Sequence, residues 1–199
     1  MKKVYVITGG GSGMGLATVR ALGKDHKIII SGRTASKLQG AVDELVKEGY
    51  DVEAFSCDVS KRESVKELVQ FTLSKGDIAA VIHAAGVSPH MGNGESIIRI
   101  NALGTYYVDE EFSSVMKEGT VILNVSSMSA YILPSMMLPT KSYKLIFTDE
   151  EKFLKKLLKR SRLVVKWFPT STRQNRDGYT SRLRLPSVWE PCLFCSGIL

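Results

Sequence analysis

Along the first 127 residues, short apolar runs alternate with stretches whose apolar residues recur every three or four positions. The first pattern predicts buried strands and the second predicts amphipathic helices. Strands are expected at Val4–Thr8, Lys27–Ser31, Val52–Ser56, Ile78–His83 and Thr120–Ser126. Helices are expected at Met14–Leu22, Ser36–Glu48, Lys61–Leu73 and Glu95–Met116. In the second helix Leu38, Val42, Leu45 and Val46 share the predicted inner face, and Gly49 stops the helix. In the third, Val65, Leu68, Val69 and Leu73 point inward. Strands separated by helices need crossover connections, which predicts an α/β fold with a doubly wound parallel sheet. Ligands of such sheets bind at the carboxyl ends of the strands, where the strand order reverses.

The regular alternation ends after Ser127. Residues 128–142 are rich in Met, Ser and Pro and read as loop. Thr148-Asp149-Glu150-Glu151 has the form of a capping box and opens a helix. Phe153, Leu154, Leu157 and Leu158 lie on one side of that helix, with lysines on the other. The run Leu163–Phe168 reads as a short strand ending at Pro169. From Thr170 onward no periodicity is visible. The expected organisation is a nucleotide-binding domain over 1–140, then an atypical basic tail with one amphipathic helix over 141–199.

Composition supports one ordinary globular region, with 44% hydrophobic and 24% charged residues. The net charge of +7 is uneven. Residues 1–140 carry 14 Lys+Arg against 15 Asp+Glu, and residues 141–199 carry 13 against 5. The basicity belongs to the tail, so it does not indicate a nucleic-acid partner for the rest. The acids at the start of the basic helix and the lysines at its end suit a solvated surface helix. No apolar stretch is long enough to span a membrane. Three cysteines form no disulfide framework, and no signal-peptide pattern precedes the first strand, so a cytoplasmic location is expected. Cys192 and Cys195 have a C-x-x-C spacing but no second pair to complete a metal site, and none is expected. His26, His83 and His90 are scattered, and His83 is expected to cap or line the cofactor cleft rather than to ligate a metal. Met128, Met136 and Met137 suit an apolar pocket wall or ordinary packing.

The candidate chemistry begins at Thr8-Gly9-Gly10-Gly11-Ser12-Gly13-Met14-Gly15, between the first strand and the first helix. Gly9 suits a tight turn, Gly13 close approach of the backbone to a pyrophosphate, and Gly15 close packing of the helix. The N–H groups that open the helix favour phosphate charge. At the end of the second strand, Gly32 stands where an acid would bond a ribose 2′-hydroxyl. Arg33 follows and offers a charged fork suited to a 2′-phosphate, so NADP(H) is expected over NAD(H).

Over about residues 1–130 the chain resembles the short-chain dehydrogenase/reductase family. Thr8–Gly15 is similar to the family's TGxxxGxG turn, and Asp58-Val59 to the pair that holds the adenine. His83-Ala84-Ala85-Gly86 resembles the NAAG segment, with His83 in place of the first Asn. Asn101 stands where the family has its proton-relay Asn. Asn124-Val125-Ser126-Ser127 resembles the segment bearing the catalytic Ser, and Ser127 aligns best with it. The resemblance implies hydride transfer between a nicotinamide cofactor and a carbonyl or secondary alcohol. It assigns the cofactor to Thr8, Gly9, Ser12, Gly13, Met14, Gly15, Arg33, Asp58, Val59, Ala84, Ala85 and Gly86. Ser127 and Asn101 are left for the chemistry.

The family pattern also calls for a Tyr with a Lys four residues later, whose cation favours the tyrosinate. None of the seven tyrosines meets it. Tyr143-Lys144 are adjacent, and neighbours on a helix do not face one site. The helix carrying that pair often builds an oligomer interface, so a homo-oligomer is compatible with the resemblance but not predicted by this sequence. The change of composition near Lys166 suggests a tail that is not native family sequence, as a frameshift or truncation would leave. The alternative to an active oxidoreductase is a catalytically inactive nucleotide-binding domain.

Overall fold

The computed structural model describes residues 3–88, 91–126 and 139–167. Its described residues form two compact units. One comprises those of Met1–Gly86 and Leu103–Val125, the other those of Val87–Ala102 and Ser126–Leu199.

The first unit is a five-stranded parallel sheet in the order β3-β2-β1-β4-β5. Its strands are β1 (Lys3–Thr8), β2 (Lys27–Gly32), β3 (Asp51–Ser56), β4 (Asp77–His83) and β5 (Val121–Asn124). The crossovers are α1 (Gly13–Leu22), α2 (Ala35–Lys47) and α3 (Arg62–Lys75). The expected doubly wound parallel sheet is therefore present. On one face Val19 of α1 and Leu38, Ala41 and Leu45 of α2 pack with Ile7, Ile28, Ile30 and Ile82. Each fully buried aliphatic side chain in this cluster contributes on the order of 1.5–3 kcal/mol. Arg20 on α1 reaches Glu44 and Glu48 on α2 and ties the two helices across the solvent edge.

Most of the predicted inner residues of α2 and α3 are inner ones: Leu38, Leu45, Val65, Leu68 and Val69 are buried and Val42 packs on the core. The exceptions are Val46, 53% exposed, and Leu73, 39% exposed. Ala41 and Thr72 are buried as well, so the buried stripe of α2 follows positions 38, 41 and 45. The Thr72 hydroxyl is buried at no loss because it bonds the Leu68 carbonyl, 2.8 Å away.

The long helix predicted over Glu95–Met116 consists of three consecutive pieces. These are α4 (Gly94–Ile98), a π turn (Arg99–Leu103) and α5 (Gly104–Ser113). Gly104 allows α5 to start against Val59, because a Cβ there would lie 2.9 Å from Val59 Cγ2.

A polar row crosses the carboxyl end of the sheet. Thr8 is in register with Ser31 on one side and His83 on the other, and His83 is in register with Asn124. Residues in register on parallel strands project to the same face. Helix α5 supplies two of their partners. Thr105 Oγ1 lies 3.2 Å from His83 Nε2, and Asp109 accepts from Asn124 Nδ2 at 3.1 Å. Burial holds the Asp109 carboxyl above its usual pKa, partly offset by the Asn124 hydrogen bond. Burial lowers the His83 imidazole to about 4.

The second unit contains α4, α6 (Thr140–Tyr143), a 3₁₀ turn (Lys144–Phe147) and α7 (Glu150–Trp167). Ile97, Ile98, Ile146, Phe153 and Leu157 are buried in it. Three expectations change here. Residues 140–143 are helical rather than loop. The N-terminus of α7 is capped by Asp149, whose Oδ1 accepts from Lys152 N at 2.9 Å, so Thr148 is not the capping residue. A carboxylate next to the helix start also suits the dipole. The predicted strand at Leu163–Phe168 is absent as far as Trp167, because α7 continues through it. A short apolar run has no periodicity of its own, and the helix already formed before it extends at little cost. Phe168 lies outside the described residues.

Two outcomes test this packing. Leu45→Ala should destabilise by about 2–5 kcal/mol, whereas Val46→Ala should change stability by less than about 0.5 kcal/mol, read from urea midpoints. For His83 the folded pKa is below the unfolded one, so the unfolded chain binds the extra proton. Its contribution to stability is complete above about pH 6.5 and is lost as the pH falls toward 4. His83→Asn should therefore flatten the pH dependence of the urea midpoint in that window.

Candidate functional site

The site region forms where β1 and β4 lie side by side, because the strand order reverses there. Thr8 ends β1 and His83 ends β4. The Thr8 carbonyl accepts from Ala84 N at 3.1 Å, and its hydroxyl accepts from Ala85 N at 3.2 Å. Ala84 and Ala85 are thus fixed beside the glycine turn. Gly86 continues that segment.

Gly9 adopts a φ of +72, and a Cβ there would lie 2.9 Å from Ala84 O and Ala85 N. The position requires glycine on both counts. Gly9 N and Gly10 N both bond the Ser31 carbonyl, at 2.7 and 3.3 Å, which anchors the turn to β2. Gly15 is buried, and a Cβ on it would run into the Gly9 carbonyl. Its missing side chain therefore serves the approach of α1 to the turn itself. Gly13 differs from both. It has a φ of +53, and the space beside its missing Cβ is open.

Ser12 is the N-cap of α1, but its hydroxyl makes no capping bond. Ser12, Met14 and Arg33 are exposed on this side of the unit. The first-turn N–H groups of α1 thus lack their usual side-chain acceptor, and the adjacent backbone is open. This arrangement suits an anionic group such as a phosphate. Arg33 directly follows β2, and Gly32 leaves no carboxylate at the strand end.

The residues after β3 form a closed turn. Asp58 Oδ1 accepts from Ser60 N at 3.1 Å and from Ser60 Oγ at 2.7 Å. Asp58 N donates to Ser64 Oγ at 3.2 Å. Val59 is buried beneath Gly104. Nearby, burial raises the Cys57 thiol to about 11, so it remains a thiol.

In the second unit the Asn101 side chain bonds the backbone of Val87 through both its oxygen and its nitrogen. Its Oδ1 accepts from Val87 N and its Nδ2 donates to Val87 O, both at 2.9 Å. This pair clamps residue 87 to the π turn. Such turns arise where a residue is inserted in a helix, often at functional sites. Ser127 lies outside the described residues, as do His90, Met128, Met136, Met137, Cys192 and Cys195. Among the described residues no helix is long and apolar enough to cross a membrane.

His83 is 3% exposed and bonded at both ring nitrogens. Sequence reasoning missed Thr105 and the anchoring role of Ser31. No local signal marks either residue, because the pairing of β1 with β2 and β4 brings their partners to them.

The short chain dehydrogenase family model matches residues 3–139. Short-chain dehydrogenase/reductase bsc3 of Alternaria brassicicola is 28% identical over 132 residues, covering 66% of this chain and 48% of that protein. An uncharacterized oxidoreductase of Staphylococcus aureus (strain MRSA252) is 29% identical over 140 residues, covering 65% of this chain and 60% of that protein. The chain thus spans about half to three-fifths of the length of these curated relatives. Among solved structures, the citronellol catabolism dehydrogenase AtuB of Pseudomonas aeruginosa PAO1 is similar, with a TM-score of 0.60 and 26% identity over 83% of this chain and 68% of that one. A blue fluorescent protein from a metagenomic library, solved in complex with NADPH, shares the fold, with a TM-score of 0.56 and 24% identity over 65% of this chain and 57% of that one. Since the family match runs unbroken from β1 through more than half of the sequence, the chain belongs to the short chain dehydrogenase family.

Proposed function

We propose that the chain carries the NADP(H)-binding part of an oxidoreductase that moves a hydride between the nicotinamide and a carbonyl or secondary alcohol. The observation that carries this reading is the turn from Gly9 to Gly15. It sits where the strand order reverses, with open backbone at Gly13 and a helix start that Ser12 does not cap with its side chain. Thr8, Gly9, Ser12, Gly13, Met14 and Gly15 would form the phosphate cradle, with Arg33 on the 2′-phosphate. Asp58 and Val59 would hold the adenine, and Ala84, Ala85 and Gly86 would line the approach to the nicotinamide. The bound cofactor supplies or accepts the hydride. Ser127 would polarise the substrate oxygen. Asn101 would support the proton relay by fixing the backbone at Val87. The substrate is a small molecule. The proposed organisation remains 1–140 for cofactor binding and 141–199 for the basic tail, in a cytoplasmic protein. The exposed Arg33 and the NADPH named with the fluorescent relative support NADP(H) over NAD(H).

One sequence observation favours a second reading. No tyrosine has a lysine four residues later, so a chain that binds cofactor without turning over substrate is the alternative. Fluorescence titration with NADPH and NADH, followed by NADPH oxidation with a panel of ketones, separates the two. Turnover supports the oxidoreductase, and binding without turnover supports the inactive domain.

Arg33→Ala should weaken NADPH binding about 10-fold or more, since a charge-assisted bond to phosphate is worth about 1.5–3 kcal/mol. It should leave NADH affinity within about 2-fold, because the lost bond goes to a group that NADH lacks. Equal losses for both cofactors would show that Arg33 does not read the 2′-phosphate. Both affinities come from the same titrations.

A further inference from the structure

We propose that His83 is a positioning residue for the cofactor turn and acts through the hydroxyl of Thr8. The inference rests on the nicotinamide-cofactor reading above and assigns a role to the residue at which the chain departs from its family's pattern.

The geometry is that of a hub with two separable arms. His83 Nδ1 lies 2.7 Å from Thr8 Oγ1, and His83 Nε2 lies 3.2 Å from Thr105 Oγ1. Thr8 Oγ1 also accepts the Ala85 N–H at 3.2 Å. That hydroxyl has one proton, and its remaining partner is Nδ1, so it donates there. A neutral imidazole with Nδ1 as acceptor carries its proton on Nε2, which then donates to Thr105. This tautomer follows from the hydrogen-bond network. Nearly complete burial keeps the ring neutral.

Thr8 stands immediately before Gly9, and Gly9 packs on the backbone of Ala84 and Ala85. The Thr8 hydroxyl therefore joins both walls of the turn region, and Nδ1 determines which way it points. Removing the Nδ1 acceptor frees the hydroxyl to rotate away and leaves the buried end of the Ala85 bond without its fixed partner. The spacing between the glycine turn and residues 84–86 is then no longer held at one value. The Thr105 arm lies on the far side of the ring and reaches α5. Its bond ties the ring to the helix rather than to the Thr8 hydroxyl.

Side chains of different reach separate the arms. In His83→Asn the carboxamide ends near the position of Nδ1 and keeps a partner for Thr8. In His83→Gln it extends toward the position of Nε2 and keeps a partner for Thr105. The experiment uses the full chain, with NADPH titrated by fluorescence and thermal melts run alongside. His83→Asn should bind within about 3-fold of the unaltered chain, whereas His83→Gln should bind about 10-fold or more weakly. Thr105→Val should lower the melting temperature and leave the affinity within about 3-fold. Nitrogen NMR of the imidazole gives a readout that a purely structural role would not move. The His83 ring should show an unprotonated Nδ1 in the unaltered chain and lose that single tautomer in Thr8→Val. Equal NADPH affinity in His83→Gln and the unaltered chain, or a protonated Nδ1, overturns the proposal alone. Failure of the unaltered chain to bind either NADPH or NADH overturns the cofactor reading and this proposal together.

Discussion

The pairing of β1 with β4 is the constraint on which the first unit depends. Once β2 and β4 flank β1, their carboxyl ends lie beside it and the strand order reverses at that point. The chain leaving β1 must turn at once into α1, and the chain leaving β4 must pass next to that turn. Both requirements meet at Gly9, where backbone from residues 84 and 85 occupies the space a side chain would need. Gly9 is therefore a consequence of two chain segments crossing within contact distance. Open backbone at Gly13 and the start of α1 remains exposed beside that crossing.

The same pairing produces the polar row Ser31, Thr8, His83 and Asn124, of which the first three are buried and Asn124 is half-buried. Polar groups in a core cost free energy unless they find partners. Here most partners come from α5 or from neighbouring backbone, through Thr105, Asp109 and the Ala85 N–H. His83 is the most demanding member, since its ring can be buried only when neutral. Its two threonine partners meet that demand without a charge. This row orders the strand ends, and the glycine turn is attached to it through Thr8 and Ser31.

Much of the fold was legible in local pattern. The strand cores Val4–Thr8, Lys27–Ser31 and Ile78–His83 and the glycine turn all appeared where β-branched runs and glycine spacing placed them. The errors fell at positions where periodicity admits two answers. Val46 and Leu73 fit a helical stripe on paper, but Ala41 and Thr72 are the buried residues at its edge. Leu163 to Trp167 has no periodicity of its own, and α7 extended into it. Asp149 displaced Thr148 as cap because either residue offers an acceptor, and only the path of the chain selects one. Asn101 was found by its place in the family pattern, yet its two bonds to Val87 depend on the π turn. Nothing in the residues 99–103 announces that turn.

By itself the sequence determined the element types, the parallel sheet and the place of the glycine turn. These follow from side-chain alternation, helical spacing and glycine, which act over a few neighbouring residues. It also determined that no tyrosine is followed at the fourth position by lysine. The tertiary structure alone decided that Ala41 and Thr72 rather than Val46 and Leu73 are buried, that Gly15 makes room for the Gly9 carbonyl, and that His83 spans Thr8 and Thr105. The last of these joins residues 75 and 22 positions apart in the chain. Such contacts arise only after the strands have chosen their neighbours, and local pattern carries no record of that choice.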